Sequence, residues 1–228
     1  MKAIETVYNG YNFRSRLEAR WALFLDMLEI PYQYEKEGYD LDHHWYLPDF
    51  WLPEHNFWIE IKGEMPNPVY THSEELQKAI LLCEHTNKSV KIFIGDIWYT
   101  NGAFSVHPAY DSDMKKRIVC STINFNYWFE CPHCNKLDII SLVNNGDYVR
   151  CRFCTGHFAG YLNAKSPNLL QYAYSSSFCL SCIGSAKAQS LYPLLFKGVE
   201  NLLEPILTTR VLNAYTAARQ ARFDTKQN

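Results

Sequence analysis

Two short segments of the chain have the apolar and polar pattern of a β-hairpin. Residues 46–52 and 57–62 are rich in aromatic and apolar residues, and Pro53-Glu54-His55-Asn56 between them is typical of a turn. A four-residue loop places Leu52 opposite Phe57, and it therefore places Asp49 opposite Glu60. Because side chains alternate along a strand, one face is wholly apolar and must be buried: Pro48, Phe50, Leu52, Phe57, Ile59 and Ile61.

The other face of the predicted hairpin carries Asp49, Trp51, Trp58, Glu60 and Lys62. Two carboxylates directly opposite each other have Cβ atoms roughly 4.5–5.5 Å apart, which is unfavourable unless a cation lies between them. An oxygen-only pair favours a hard ion such as Mg²⁺. Lys62 could orient or deprotonate a coordinated water, or neutralise charge on a phosphate. The alternative is a solvated face with an ordinary cross-strand salt bridge.

The rest of the first half of the chain alternates between predicted helices and strands. Residues 107–119 are expected to be a polar connector. The predicted elements are a helix over 15–29, a strand over 32–39, a helix over 73–85, a strand over 89–95 and a hairpin of 97–100 with 103–106.

The start of the first predicted helix contains a glutamate with two interpretations. Ser15-x-x-Glu18 is the pattern of a capping box, in which the glutamate satisfies backbone N–H groups. On the residues alone this structural role is favoured.

The hairpin and the first helix together carry a resemblance to a known family. Pro48-Asp49, then ten residues, then Glu60-Ile61-Lys62 resembles the PD-(D/E)XK nuclease signature. Residues 14–21, RSRLEARW, resemble the first helix of phage and bacterial members of that superfamily, and residues 217–223, AARQARF, are similar to the tail of the same proteins.

This resemblance implies an αβββαβ core of the restriction-endonuclease type, an α/β fold with a mixed sheet. It implies Glu18, Asp49, Glu60 and Lys62 as catalytic residues, with Mg²⁺ or Mn²⁺ held by Asp49, Glu60 and the backbone carbonyl of Ile61. Glu18 would then lie beside the metal, directly or through water, which reverses the preference for the cap.

Four further residues are candidate nucleic-acid contacts. In the suspected superfamily the second helix often offers polar or basic side chains to phosphate, which singles out Gln77 and Lys78. Arg219 and Arg222 lie in a tail with a local excess of positive charge. For all four, the charge pattern alone favours an ordinary solvated face.

The middle of the chain is rich in cysteine. Cys131-x-x-Cys134 and Cys151-x-x-Cys154 flank a predicted hairpin of 137–143 with 148–150, which is typical of a zinc ribbon with four thiolate ligands. An iron–sulfur cluster is the less favoured alternative. The third pair, Cys179 and Cys182, has three interpretations: it replaces one of the first two pairs, it forms a second site with Cys120, His133 or His157, or it packs at the start of a helix. Cys83 is expected to be a core residue.

Composition and charge bear on how the protein could bind nucleic acid and on its cellular location. The chain has 228 residues and a net charge of −2, so no overall positive field attracts nucleic acid, and binding must use local basic patches. Cysteines in C-x-x-C pairs suit a reducing compartment. With no signal-peptide core and no apolar run of membrane-spanning length, we expect a cytoplasmic protein of a bacterial cell or its phage, with no membrane partner.

These observations predict three regions: a nuclease core over 1–118, a zinc-ribbon region over 119–184 and a C-terminal helical segment over 185–228, with helices at 186–203 and 206–223. The expected function is Mg²⁺-dependent endonucleolytic hydrolysis of DNA through a water coordinated by the metal. The alternatives are a non-catalytic nucleic-acid or protein binding module that uses the zinc ribbon, and an RNA nuclease. A dimer would suit cleavage of both strands, but the sequence does not establish one.

Overall fold

The structure is a computed structural model. It describes residues 3–42, 44–64, 73–97, 103–110, 113–124, 126–131, 134–141, 148–150, 153, 157–159 and 208–223. Its described helices are α1 (Arg16–Met27), α2 (Glu74–Thr86) and α3 (Thr209–Gln220).

The described strands fall into a large central sheet and four small two-stranded sheets. In chain order they are β1 (Thr6–Tyr8), β2 (Tyr11–Phe13), β3 (Gln33–Tyr34), β4 (Tyr39–Leu41), β5 (His44–Tyr46), β6 (Phe50–Leu52), β7 (Phe57–Lys62), β8 (Ser89–Ile94), β9 (Ala103–Tyr110), β10 (Lys116–Asn124), β11 (Asn126–Glu130), β12 (Leu137–Ser141), β13 (Tyr148–Arg150) and β14 (His157–Ala159).

The central sheet has six strands in the order β10-β9-β8-β7-β6-β3. β7 and β8 run parallel, and the other neighbouring pairs run antiparallel. A parallel pair needs a crossover connection, and α2 lies in the segment between these two strands. The predicted α/β class with a mixed sheet is therefore confirmed.

The predicted register of the β6–β7 hairpin is confirmed. Leu52 pairs with Phe57 and Phe50 pairs with Ile59, and the loop is the predicted four residues. Asn56 closes the turn with a positive φ of 57°, and its N–H donates to the Leu52 carbonyl at 2.8 Å. Asparagine tolerates this left-handed conformation better than most residues do.

Two predicted strands are shorter than expected. Residues 46–52 are not one strand, since β5 ends at Tyr46 and β6 begins at Phe50. Pro48 lies in the gap and cannot donate a hydrogen bond to a ladder. Residues 32–39 are likewise divided between β3 and β4, and Glu35 has a positive φ of 45°, which interrupts the extended backbone.

Both faces of the central sheet are covered. The face predicted to be apolar packs against α1, α3 and the β11–β12 hairpin in one core, where Phe50, Leu52 and Phe57 are fully buried. The other face packs Trp58, Val90 and Ile92 against α2 in a second core. The alternative of a solvated second face for the hairpin is therefore wrong, because α2 covers that side of the sheet.

α1 and α2 begin where the capping pattern predicts them, and α3 lies within the helix predicted over 206–223. The Oγ atoms of Ser15, Ser73 and Thr208 accept from the backbone N–H three residues on, at the starts of α1, α2 and α3 respectively. Trp21, Phe24 and other predicted apolar positions of α1 are buried. Cys83 is buried in α2, as expected. The predicted helix over 186–203 lies outside the described residues.

The segment after β8 was predicted incorrectly. Residues 103–106, which the sequence predicts to pair with 97–100, pair with β8 on one edge and with β10 on the other. Residues 98–100 lie outside the described residues. Residues 107–119 are not a polar connector, because β9 and β10 occupy most of them. The described register with β8 ends at Val106, so Pro108 needs no partner on that edge.

The cysteine-rich region also pairs differently from the prediction. β12 pairs with β11, and β13 pairs with β14, so each C-x-x-C segment joins the strands of its own hairpin. The predicted pairing of 137–143 with 148–150 is therefore wrong for the described residues.

The predicted division into three regions stays a prediction. β10 crosses the proposed boundary at residue 118 within the central sheet. Trp128, Leu137 and Ile139 of the β11–β12 hairpin belong to the same core as α1 and α3. In the described parts of the chain, no helix is both long and apolar enough to cross a membrane.

Candidate functional site

Asp49 lies at the entry to β6 and is almost completely buried, with 2% of its surface exposed. Its Oδ2 accepts from the backbone N–H of Ile61 on β7 at 2.7 Å. Its Oδ1 accepts from the guanidinium Nη2 of Arg14 at 2.7 Å. The hairpin register therefore fixes one carboxylate oxygen on the backbone and leaves the other facing the exposed side of the site.

Glu60 lies on β7 and is as buried as Asp49, with 2% of its surface exposed. Its Oε2 accepts from the Tyr46 hydroxyl at 2.7 Å and from the backbone N–H of Asp49 at 3.4 Å. Burial, followed by the charge of Glu60, raises the pKa of Tyr46 well above its usual value. The phenol therefore stays protonated and continues to donate to Glu60.

Lys62 projects to the same side of β7 as Glu60, as the two-residue spacing predicts. Its Nζ contacts Glu60 Oε1 at 2.6 Å, and its side chain is 30% exposed. Burial alone would lower the pKa of Lys62, but Glu60, Asp49 and Glu75 raise it above the ordinary value. Lys62 is therefore a cation that can orient a water or neutralise charge, and it does not remove a proton in this arrangement.

Arg14 lies between β2 and α1 and borders the site from the solvent side. Its Nε contacts Glu35 at 2.6 Å and its Nη2 contacts Asp49 at 2.7 Å, while 53% of the side chain is exposed. Burial disfavours the guanidinium cation, yet Asp49 and the other neighbouring carboxylates raise the pKa of Arg14 above its ordinary value.

Glu18, in the first turn of α1, takes part in the helix cap and also lies at the edge of the site. Its backbone N–H donates to Ser15 Oγ at 3.1 Å, and its Oε1 accepts from the same hydroxyl at 2.7 Å. Its Oε2 accepts from the Tyr34 hydroxyl at 2.6 Å and from the Arg14 backbone N–H at 3.2 Å. The capping interpretation is confirmed, and Arg14 links the cap to Asp49.

The buried carboxylates of the site change the pKa of Asp49. Burial, then the charge of Glu60, then that of Glu18 raise the pKa of Asp49 well above its usual value. The Ile61 N–H and the Lys62 ammonium oppose this shift but do not offset it. We refer to Asp49, Glu60, Lys62 and Arg14 as the carboxylate cluster.

The donor set of the carboxylate cluster fits a hard divalent cation. It offers oxygen from Asp49 and Glu60, and Mg²⁺ is commonly bound by one or two carboxylates with several waters. Among the described residues, no three His, Cys, Asp or Glu side chains are arranged to share a metal ion. The predicted place of Glu18 beside the metal, directly or through water, stays a prediction.

The four predicted nucleic-acid contacts do not join the carboxylate cluster. Gln77 is exposed on α2, and Lys78 pairs with Glu74 one turn earlier in the same helix. Arg219 Nε contacts Asp96 Oδ2 at 3.2 Å. Arg222 is exposed just after α3 ends. Their contact with nucleic acid stays a prediction.

A second charged group lies at the same edge of the sheet. Asp96 follows β8, and the N–H of the preceding Gly95 donates to the Lys62 carbonyl at 2.8 Å. Asp96 Oδ1 contacts Arg20 at 3.1 Å and its Oδ2 contacts Arg219, so the aspartate joins α1 to α3. We refer to Arg20, Asp96 and Arg219 as the Asp96 cluster.

The predicted zinc ligands are only partly within the described residues. Cys131 is buried and Cys134 is partly buried in the turn between β11 and β12, whereas Cys151, Cys154, Cys179 and Cys182 lie outside the described residues. The turn is closed by the Cys131 N–H, which donates to the Lys136 carbonyl at 2.9 Å. Lys136 Nζ lies 5.6 Å from the ring centroid of Phe153, a residue of the second C-x-x-C segment.

Sequence reasoning missed Arg14, Tyr34 and Tyr46. The two tyrosines orient the carboxylates of Glu18 and Glu60, and Arg14 contacts Asp49 directly. For Arg14 the sequence offers one weak signal of a place near the site, since this residue immediately precedes the capping Ser15. Tyr46 gave none, because a continuous strand over 46–52 would place it on the apolar face with Phe50.

Three comparisons with known proteins were made. No protein-family model matches the chain, and neither the curated proteins nor the solved structures contain a match.

Proposed function

We propose that this protein is a metal-dependent endonuclease that hydrolyses phosphodiester bonds in DNA. The observation that carries the proposal is the burial of Asp49 and Glu60 beside each other, joined through backbone N–H groups of the same hairpin. Two buried carboxylates placed side by side are costly to ionise together, so this arrangement is unfavourable for folding. Perturbed groups of this kind concentrate at functional sites.

Three further observations support the same function. The motif Pro48-Asp49 with Glu60-Ile61-Lys62 resembles the PD-(D/E)XK signature, and its two halves lie directly before β6 and at the end of β7 in a mixed sheet. α1 precedes the hairpin, and α2 and β8 follow it, which is the order expected of the restriction-endonuclease-like core. The net charge of −2 requires local basic groups for DNA binding, and Arg14 and Lys62 at the site are two such groups.

In this proposal Asp49, Glu60 and the Ile61 carbonyl hold Mg²⁺ or Mn²⁺. The bound cation would supply Lewis-acid stabilisation of the phosphate and a lowered pKa for a coordinated water. Tyr46 keeps Glu60 in place, and the backbone N–H of Ile61 keeps Asp49 in place. Lys62 donates to the water or to the phosphate oxygens as negative charge develops, and Glu18 positions the Arg14 backbone.

A plasmid-nicking assay tests the proposal. We expect Mg²⁺-dependent nicking by the wild type, its loss in EDTA, and a reduction by roughly 100-fold or more in Asp49→Asn and Lys62→Met. Glu54→Gln is the matched control, because Glu54 is an exposed carboxylate in the turn of the same hairpin. Equal loss in the control, or metal-independent nicking, would overturn the proposal. Binding of DNA without nicking would favour the non-catalytic module, and nicking of RNA alone would favour the RNA nuclease.

We also propose that one structural Zn²⁺ is held by Cys131, Cys134, Cys151 and Cys154. The support is the hairpin turn that presents Cys131 and Cys134, together with the contact of Lys136 with Phe153 from the second C-x-x-C segment. Metal analysis of the purified protein should find one zinc per chain, and Cys131→Ser and Cys151→Ser should each lose it. Cys83→Ala, which removes a buried core thiol, should keep it. Zinc retained in both ligand variants would refute the assignment.

A further inference from the structure

We propose that Arg14 competes with the divalent cation for Asp49, and that its displaced guanidinium then binds a phosphate of the nucleic acid. This inference rests on the proposed function, since it concerns the same site. It assigns Arg14 a substrate-binding role that the motif does not supply.

The competition follows from the contacts of Asp49. Its Oδ2 is held by the Ile61 backbone N–H at 2.7 Å, which the hairpin fixes. Its Oδ1 is therefore the oxygen that can turn to a ligand, and Arg14 Nη2 lies 2.7 Å from it. A magnesium ion needs its oxygen ligand at about 2.0–2.1 Å. Two positive groups cannot share that side of one buried oxygen without strong repulsion.

The side chain of Arg14 can change position while its backbone stays fixed. Its backbone N–H is fixed by Glu18 Oε2 at 3.2 Å and by the Tyr34 hydroxyl at 3.1 Å. Its side chain, by contrast, is half-exposed and has Glu35 as a second partner. The guanidinium can therefore leave Asp49 while the residue stays at the border of the site. Its planar set of donors suits bidentate contact with a phosphate.

The arrangement couples the two ligands. A phosphate that draws Arg14 away from Asp49 frees Oδ1 for the cation, and a cation that displaces Arg14 frees the guanidinium for the phosphate. Coupling between two ligands of one site is reciprocal. Nucleic acid and divalent cation should therefore strengthen each other's binding through this residue.

Titration calorimetry with Mn²⁺ in the absence of DNA tests the competition directly. Arg14→Ala should bind Mn²⁺ about tenfold more tightly than the wild type, at the low end of what a hydrogen bond to a charged group contributes. At saturating Mn²⁺ the same variant should cleave DNA about tenfold more slowly, because a charge-assisted phosphate contact is lost. The two effects have opposite directions, which a general structural defect would not produce.

Arg16→Ala is the charge-matched control. Arg16 lies two residues away at the start of α1, and among the described residues its Nε has no hydrogen-bond partner. Its Mn²⁺ affinity should stay within about twofold of the wild type, the scale of a weak charge–charge interaction. Equal gains in both variants would show a long-range charge effect and overturn the competition.

Arg14→Lys protects the test against misfolding of the alanine variant. It keeps one positive charge but lacks the bidentate fork, so its Mn²⁺ affinity should lie between those of the wild type and Arg14→Ala. An unchanged or weaker affinity in both Arg14 variants would overturn the inference and leave the proposed function intact. A wild type that binds no Mn²⁺ would overturn both.

Discussion

The carboxylate cluster and the Asp96 cluster lie at the same end of the central strands of the sheet. They differ in burial and in which charges are neighbours. Asp96 is 43% exposed and lies between two arginines, whose positive charges balance its negative charge. Asp49 and Glu60 are each 3% exposed at the side chain and lie next to each other. An exposed pair of opposite charges can link two helices with little effect on the free energy of folding. Buried like charges destabilise the fold, so their presence indicates a role other than stability.

Cleavage should separate the two clusters most strongly. Glu60→Gln should reduce the rate of Mg²⁺-dependent DNA cleavage by roughly 100-fold or more, because it removes a charged oxygen ligand from the site. Asp96→Asn should stay within about fivefold of the wild type, in line with an exposed interaction worth at most about 1 kcal/mol. Single-turnover assays with matched protein concentrations measure both. Comparable losses would remove the functional distinction between the clusters.

Divalent cations should stabilise the fold through the carboxylate cluster alone. At a Mn²⁺ concentration of 100 times its Kd, the free energy of unfolding of the wild type should rise by about 2.7 kcal/mol. Asp49→Asn should show little of this gain, and Asp96→Asn should keep it. Chemical unfolding with and without Mn²⁺ measures the difference. A full gain in Asp49→Asn would place the cation elsewhere.

In EDTA, stability should depend on pH through Asp49. Because burial and the neighbouring carboxylates raise the pKa of Asp49 in the folded state, the folded protein binds this proton more tightly than the unfolded chain does. The favourable contribution is present below the ordinary aspartate pKa and is lost as pH rises through the raised pKa. Asp49→Asn should therefore be more stable than the wild type at neutral pH by roughly 0.5–2 kcal/mol. The difference should vanish near pH 3, and a variant that is less stable at neutral pH would contradict this.

The smallest effect belongs to the contact between α1 and α3. Arg219→Ala should lower the free energy of unfolding by about 0.2–1 kcal/mol at low salt, and by less at high salt, as for other exposed pairs. Lys78→Ala, which removes the pair with Glu74 within α2, is the control. Salt-dependent urea unfolding measures both variants. A larger, salt-independent loss would indicate that Arg219 is part of the packed core.

The sequence pattern predicted the parts of the fold that depend on interactions between residues close together in the chain. The four-residue turn and the alternation around it gave the register of β6 with β7, and serines with acidic residues in the first turn gave α1 and α2. The pattern predicted a strand over 103–106 only, which is the first half of β9. It did not predict the rest of β9 or β10, since polar residues and Pro108 obscure the strand signal over 107–119. It also did not show that α2 buries the second face of the hairpin.

The same limit applies to the candidate site. Asp49, Glu60 and Lys62 could be placed together because one hairpin carries all three. Arg14 reaches Asp49 from 35 residues away, and Tyr34 reaches Glu18 from 16 residues away. Such contacts depend on how α1 and β3 pack on the sheet, and a two-residue or four-residue periodicity carries no information about that packing.

The central claim is that Asp49 and Glu60 are buried together in order to hold a divalent cation. A crystal soaked in Mn²⁺ and measured for its anomalous signal tests this most directly. The claim predicts one peak within coordination distance of Asp49 Oδ1 and a Glu60 oxygen, with the Arg14 guanidinium moved off Asp49. A crystal with no peak there, or with Mn²⁺ bound only at other carboxylates, would contradict it.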